Sequence, residues 1–287
     1  MSGPRQTTLP TGAAVPGFDF AAAVTELTDA AARAGAAMMR HYETGPAVEF
    51  KADNSPVTCA DRDSEAIALA AIAALAPTIP IVSEESAGDC TQPLPPRFFL
   101  VDPLDGTKEF INKRDDFTLN IALIDDGRPV FGLVYAPARE RLGITVAPGQ
   151  AVEARLIAND AGADFAALHT RPLRARPLPS GGLTALVSRS HLDPDTEAFL
   201  ARLTIAERTS AGSSIKFLEI AAGGADVYPR LSPTMEWDTA AGQAVLEAAG
   251  GRVVDLEDKP LAYGKTARGL RNPSFVAWGG ALVAARI

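Results

Sequence analysis

The 287-residue chain predicts an α/β fold or a mixed α+β sandwich, and three observations carry that expectation. Short apolar runs of strand length alternate with Ala-rich stretches of helical period from one end to the other. Turn signals, Asp125-Asp126-Gly127-Arg128 and Pro148-Gly149, separate pairs of apolar runs as hairpins require. Apolar residues make up 47% of the chain and charged residues 22%, which supplies a core for one large domain or two joined ones. No internal repeat is visible.

The elements follow in order. Met1 to Pro16 is rich in Thr, Pro and Gly and reads as a flexible lead-in that ends at residue 17. Phe18 to Tyr42 is a long helix with Asp19 as its cap, closed by Gly45-Pro46. Val48 to Lys51 is a short strand, Asn54-Ser55-Pro56 a turn, and Asp61 or Asp63 opens a second helix that reaches Leu75. Pro80 to Ser83 is a strand that delivers Glu84 and Glu85, whose side chains must point to opposite sides of an extended backbone. Ser86 to Pro96 is a polar loop. Phe98 to Val101 is a buried strand, and Thr118 to Ile124 with Pro129 to Tyr135 forms a hairpin. Leu142 to Val146 and Ala151 to Leu156 form another. The pattern weakens between Asn159 and Gly182, which places a domain boundary near 182/183.

A new α/β run begins at Thr184 to Ser188. Helices are predicted over Asp195 to Leu203, over Ser213 to Gly223, and from Trp237-Asp238 to Gly250-Gly251. Asp226 to Pro229, Val253-Val254 and Phe275 to Trp278 complete a second sheet. The expected division is therefore a lead-in (1–17), an N-terminal α+β part (18–182) and a C-terminal α/β part (183–287).

A net charge of −8 argues against a nucleic-acid or membrane-surface binder, which would carry a basic stripe. Cys59 and Cys90 have neither metal-ligand spacing nor a partner pattern and read as reduced cytosolic thiols. His41, His169 and His191 are too scattered for a zinc cluster. No run of about 18 apolar residues predicts a membrane span, and the N-terminus lacks the apolar core of a secretory signal.

Chemistry concentrates in Val101 to Ile111, VDPLDGTKEFI. An apolar strand ending in Asp102-Pro103-Leu104-Asp105-Gly106-Thr107 brings two carboxylates and a small-residue turn to one strand end. Such a place suits a divalent cation with oxygen ligands, and the backbone N–H groups of Gly106 and Thr107 could hold an oxyanion. Glu84 at a neighbouring strand end and Asp238 at a downstream helix start bring the acids to four, from three segments. Two or three Mg²⁺ ions acting on a phosphate would fit that set. The Asp-x-Asp-x-Thr of dehalogenase-type phosphatases and a Walker A loop are both absent.

Four stretches together, SPVTCAD (55–61), SEES (83–86), VDPLDGTKEF (101–110) and WDTAAG (237–242), resemble the signature set of the inositol monophosphatase superfamily, Mg²⁺-dependent and lithium-sensitive phosphomonoesterases. Within it the chain is most similar to the CysQ-type 3′(2′),5′-bisphosphate nucleotidases. Lys108-Glu109 after Asp-Gly-Thr, SRSH (188–191), GSSIKF (212–217), YPR (228–230), KPLAY (259–263) and LRNPSF (270–275) carry that likeness. Cys59, where a smaller residue is expected, and the stretch from Ala151 to Gly182 depart from the pattern.

The resemblance implies a layered αβαβα sandwich, with an antiparallel sheet in the N-terminal part and a mixed sheet in the C-terminal part. It implies that Glu84, Asp102 and the Leu104 carbonyl hold one Mg²⁺, and that Asp102, Asp105 and Asp238 hold a second. Thr107, hydrogen-bonded to Asp61, would orient and help deprotonate the attacking water, with Glu84 beside them. The N–H groups at Gly106 and Thr107 would meet the scissile phosphate and Lys108 would bind substrate, while Ser213, Lys216 and Arg230 take the second phosphate and His191 stands by the nucleotide. The implied substrate is adenosine 3′,5′-bisphosphate, and the implied setting is a cytoplasmic monomer or homodimer in sulfur metabolism, with peripheral attachment to the inner membrane left open. Competing readings are an inositol or sugar phosphate phosphatase of the same superfamily, a non-catalytic Mg²⁺-binding regulatory protein, and an exonuclease, which the acidic balance disfavours.

Overall fold

The apolar run that precedes the paired acids becomes the spine of the molecule. A computed structural model describes residues 15–45, 48–50, 56–88, 92–188 and 193–280. Its N-terminal elements are α1 (Phe20–Thr44), β1 (Val48–Phe50), β2 (Pro56–Thr58), α2 (Cys59–Leu75), β3 (Ile81–Ser83), β4 (Arg97–Asp105), α3 (Thr107–Ile111), β5 (Thr118–Asp125), β6 (Arg128–Ala136), β7 (Arg141–Ala147), β8 (Gln150–Arg155) and β9 (Thr170–Pro172). After β9 come β10 (Leu183–Ser188), α4 (Pro194–Leu200), β11 (Ile205–Ala211), α5 (Ile215–Ala221), β12 (Val227–Arg230), α6 (Glu236–Ala248), β13 (Arg252–Asp255) and β14 (Phe275–Trp278).

β3 to β9 form a seven-stranded sheet in sequence order, antiparallel except that β3 joins the edge parallel to β4. The second sheet has the order β11-β10-β12-β14-β13 and is mixed: β10 runs parallel to β11 and β12, whereas β14 pairs antiparallel with β12 and β13. β1 and β2 make a separate two-stranded ribbon.

Side-chain alternation explains the layers. In β4, Phe99 and Val101 pack with α1 and α2, while Phe98 and Leu100 pack with α5 and α6 on the opposite face. A strand buried on both faces must be apolar throughout, which is why Phe98 to Val101 carries no polar residue. The second sheet alternates likewise: Leu186 turns toward α5 and α6, and Ala185 and Val187 toward α4. The stack is therefore α1 and α2, seven-stranded sheet, α5 and α6, five-stranded sheet, α4, the expected five layers. α6 lies against β4, β5 and β6 of one sheet and β13 of the other. It presses close because Gly132 sits beneath it; a Cβ there would lie 2.4 Å from the Ala241 carbonyl oxygen.

Several expectations are corrected. Of the stretch assigned to a flexible lead-in, residues 15–17 are described: Val15 is buried, Pro16 and Gly17 are exposed, and the Pro16 carbonyl accepts from Arg97 Nη1 at 2.6 Å. α2 begins at Cys59 instead of Asp61 or Asp63, because Thr58 is its cap. β2, β9 and β11 were not foreseen. Every residue of β9 is exposed and most of β11 is, so neither carries an apolar alternation. The stretch after β8 is pinned to α1 through Asn159 N–H to Ala32 O and Ala163 N–H to Asp29 Oδ1. Cys59 is exposed, whereas Cys90 lies outside the described residues.

Candidate active site

Alternation along β4 turns Asp102, like Leu100, toward the α6 face. The strand then bulges: Asp102 stands opposite Asn120, and the next paired residue, Asp105, opposite Thr118. The bulge is closed by Leu104 N–H donating to Asp102 Oδ1 at 3.1 Å. Gly106 follows with φ +91°, and a Cβ there would lie 2.7 Å from the Asp116 carbonyl oxygen, so only glycine fits. α3 starts at the next residue.

The other acids arrive by different routes. β3 and β4 are parallel and in register, Ser83 beside Val101, so both strands end at the same edge. Glu84 thus emerges next to Asp102, its own N–H bonded to the Val101 carbonyl at 3.0 Å. Glu85 looks elsewhere, and its charge acts on Arg62. Asp61 and Asp238 occupy the same position in their helices, the third residue, and each accepts a hydrogen bond from the N–H at the cap. Asp61 Oδ2 takes Thr58 N–H at 2.8 Å and Asp238 Oδ2 takes Met235 N–H at 2.8 Å. The remaining oxygen of Asp61, Oδ1, lies 3.4 Å from Thr107 Oγ1 and the Leu104 carbonyl 3.2 Å from it, so the single Thr107 proton goes to one or the other. Ser64 Oγ ties α2 to the same bulge through the Pro103 carbonyl at 2.7 Å.

These acids crowd one another. Burial first, then the charges of Glu84, Asp105, Asp238 and Asp61, push the Asp102 carboxyl well above the usual carboxylate range. Burial, Asp105 and Glu84 do the same to Asp238. Such a group of like charges calls for a cation.

Facing them in the same cavity are two buried cations. Lys216, 3% exposed, donates from Nζ to Ser213 O at 2.7 Å and Ala211 O at 3.2 Å, and its ammonium lies 5.0 Å from the Tyr228 ring centroid. Burial lowers its pKa to about 8. Arg230 Nη1 donates to Ser188 Oγ at 2.8 Å, while its Nε bonds to no described residue. Ser213 holds a left-handed φ of +52°, steadied by Lys216 and by a 2.5 Å contact between its hydroxyl and that of Thr118.

The cavity has a volume of about 500 Å³ and is lined by Glu84, Asp102, Leu104, Asp105, Gly106, Thr107, Lys108, Ser213, Lys216, Arg230 and Asp238. Asp61 supports it from behind Thr107. His191 lies outside the described residues. Among the described residues no three acids, histidines or cysteines close on a single point as they stand; the four acids line the cavity instead. Sequence reading missed Ser188, Tyr228, Asn120 and Ser214. The first two sit inside motifs already noted, SRSH and YPR. Asn120 is hidden in an apolar strand and gives no signal. Ser214 reads, from sequence, only as part of a helix cap.

Comparison with known proteins places the whole chain in a family. The model of the inositol monophosphatase family matches residues 21–282. The 3′(2′),5′-bisphosphate nucleotidase CysQ of Shigella flexneri is 42% identical over 248 residues, covering 85% of this chain and 95% of the relative, and that of Escherichia coli K12 is 42% identical over 254 residues with the same coverage. The crystal structure of CysQ from Bacteroides thetaiotaomicron superposes with a TM-score of 0.74 at 37% identity, over 91% of this chain and 97% of that one. An inositol monophosphatase from Zymomonas mobilis shares the fold at 22% identity, with a TM-score of 0.69 over 91% and 92% of the two chains. With a family match across nearly the whole chain and relatives above 40% identity, the chain belongs to the inositol monophosphatase family.

Proposed function

We propose that this chain is a Mg²⁺-dependent 3′(2′),5′-bisphosphate nucleotidase that hydrolyses adenosine 3′,5′-bisphosphate to AMP and phosphate. One observation carries the reading: the four acids and the buried pair Lys216 and Arg230 line a single cavity. A substrate with two phosphates meets both, one at the acids and one at the cations. The CysQ relatives, named for this activity, support it.

The residues fit Mg²⁺ because every donor is a hard oxygen and because the acids crowd each other without it. Glu84, Asp102 and the Leu104 carbonyl would hold one ion, and Asp102, Asp105 and Asp238 a second. When bound, the metal lowers the pKa of water and draws charge from the phosphate. Thr107 accepts the attacking water's hydrogen as it donates its own toward Asp61 Oδ1, so the pair aims a lone pair of the water at phosphorus. The new P–O bond forms as the bond to the ribose 3′ oxygen breaks, and that oxygen leaves with a proton from solvent. Lys216 and Arg230 hold the 5′ phosphate and so keep the 3′ phosphate in line. Lys108, exposed at the cavity mouth, adds positive charge beside the scissile group. Among the described residues no helix is long and apolar enough to cross a membrane. The proposal includes a cytoplasmic enzyme, monomeric or homodimeric, acting on a free nucleotide.

Phosphate release from adenosine 3′,5′-bisphosphate, inositol 1-phosphate and fructose 1,6-bisphosphate, with Mg²⁺ and with added Li⁺, tests the proposal. The bisphosphate nucleotide should give the highest kcat/KM, and Li⁺ should inhibit. Equal turnover of inositol 1-phosphate would overturn the substrate assignment.

A further inference from the structure

The tail motifs KPLAY (259–263) and LRNPSF (270–275) contribute no acid to the site, yet they wrap the first turn of α6, which carries Asp238. Arg271 bridges to Met235, Glu236 N–H bonds to Leu270 O at 2.9 Å, and Asn272 N–H bonds to Thr234 O at 3.0 Å. The Asn272 side chain lies at the centre. The two hydrogens of its Nδ2 are shared among Met235 O at 2.7 Å, Thr239 Oγ1 at 2.9 Å and Thr234 Oγ1 at 3.2 Å, and its Oδ1 faces Lys265 Nζ at 3.4 Å. A carbonyl on one side and an ammonium on the other fix the orientation of the amide. The fully buried Glu236 is held just as closely. Its carboxylate accepts Gly264 N–H at 2.6 Å and Lys265 N–H at 2.9 Å, and pairs with Lys265 Nζ at 2.7 Å.

Far more bonds converge on this one turn than are needed to start a helix. Met235, whose carbonyl Asn272 grips, is the residue whose N–H holds Asp238 Oδ2. We propose that residues 260–275 form a strap, centred on Asn272, that positions Asp238 for metal binding by fixing both faces of the Met235 backbone. Asn272 acts through Met235 and touches neither metal nor substrate. The inference rests on the metal-site reading above. Partners at this remove from the ion set the angle and freedom of a ligand, and their loss weakens metal affinity by about 10- to 100-fold.

The decisive variant is Asn272→Asp in the full chain, equal in shape but unable to donate to Met235 O or Thr239 Oγ. The control is Asp255→Ala, which removes the acceptor for Glu257 N–H and Lys259 N–H in the turn that precedes the strap. Three quantities are read: melting temperature without metal, the rise in melting temperature on adding Mg²⁺, and the Mg²⁺ concentration for half-maximal activity. In Asn272→Asp the midpoint should rise about tenfold or more and the Mg²⁺-induced melting shift should shrink, while KM for the nucleotide at saturating Mg²⁺ stays near wild type. Asp255→Ala should lose stability and keep the wild-type Mg²⁺ midpoint. A wild-type midpoint and shift in Asn272→Asp, or an equal midpoint change in Asp255→Ala, overturns the proposal. Should Asn272→Asp fail to fold, Lys265→Met makes the same comparison, and an unchanged midpoint there overturns it too. A wild-type chain with no Mg²⁺ response removes the metal reading itself and the strap's role with it.

Discussion

The hydroxyl of Ser214 lies 3.0 Å from Oδ2 of Asp105. It also lies 2.8 Å from the Asp238 carbonyl oxygen and 3.0 Å from Asn120 Nδ2, which donates to it. One hydroxyl has one proton, so Ser214 serves Asp105 or the α6 carbonyl at any moment and draws the two together. Three segments that carry or neighbour site acids thus meet at a residue that sequence reading assigns to a cap.

Ser214→Ala should therefore misplace Asp105 without unfolding the chain. A hydrogen bond to a charged group contributes about 1.5–3 kcal/mol, so kcat/KM should fall by about 10- to 100-fold. Steady-state kinetics at saturating Mg²⁺ checks it, and wild-type kcat/KM would show the contact to be incidental.

Asp102→Asn should abolish turnover by several orders of magnitude and yet stabilise the metal-free protein. Asp102 is raised by burial and by Glu84, Asp105, Asp238 and Asp61. Its folded pKa thus exceeds its unfolded value of about 3.9. The stability it contributes is complete below that unfolded value and is lost as pH rises through the folded one. The metal-free wild type should accordingly melt lower at neutral than at mildly acidic pH, and Mg²⁺ should flatten the slope. In the Asp102→Asn variant at neutral pH, where the repulsion is gone, melting should rise by about 2–4 °C for each kcal/mol removed. Calorimetry across pH, with and without Mg²⁺, decides it.

Lys216 predicts a pH signature of a different kind. Burial lowers its pKa from 10.5 to about 8, so the free enzyme loses this charge as pH passes that value. KM for the bisphosphate should rise above pH 8 while KM for a simple monophosphate changes little. Lys216→Met should raise KM for the bisphosphate and remove the bend. The unfolded chain holds the extra proton between pH 8 and 10.5, so this group's contribution to stability rises with pH across that window. A bend that survives in Lys216→Met would assign it to another group.

Thr107→Val keeps the shape and removes the hydroxyl that bonds to Asp61 and Leu104 O. Proton transfer by a positioned group contributes about 10²- to 10⁴-fold, so kcat should fall in that range with KM nearly unchanged. Thr107→Ser should restore much of it. Equal losses in both variants would place the role of Thr107 in packing.

Much of the site was legible because its acids sit where local rules already operate. Asp102 and Asp105 end an apolar strand, and Asp61 and Asp238 start helices. Glu84 lines the cavity and Glu85 does not, although both lie in the turn after β3, where strand alternation no longer applies. What the sequence hid was the set of residues whose meaning depends on register. Asn120 looks like a polar slip in an apolar strand until β5 pairs with β4 and sets it opposite Asp102. Ser214 and Asn272 make their contacts across 109 and 37 residues of chain, distances at which no local pattern can speak. β9 and β11 were missed because exposed edge strands have no buried face to impose an alternation. The bond from Arg97 to the Pro16 carbonyl, across 81 residues, was equally out of reach of any local pattern.

Asp61 and Asp238 each spend one oxygen on the N–H that begins their helix. The same carboxyl groups are thus punctuation for the backbone and reagents for the chemistry. An alanine at either place would fray a first turn, a loss of about 1 kcal/mol, and at the same time disarm the cavity, so the two defects would be inseparable in a single mutant. Asparagine keeps an oxygen to accept the cap and gives up the charge and the second acceptor, which at Asp61 is the one that faces Thr107. For these two positions, damage to folding and damage to chemistry can be told apart by the choice of replacement, and genetic variants there will resemble misfolding alleles unless that choice is made.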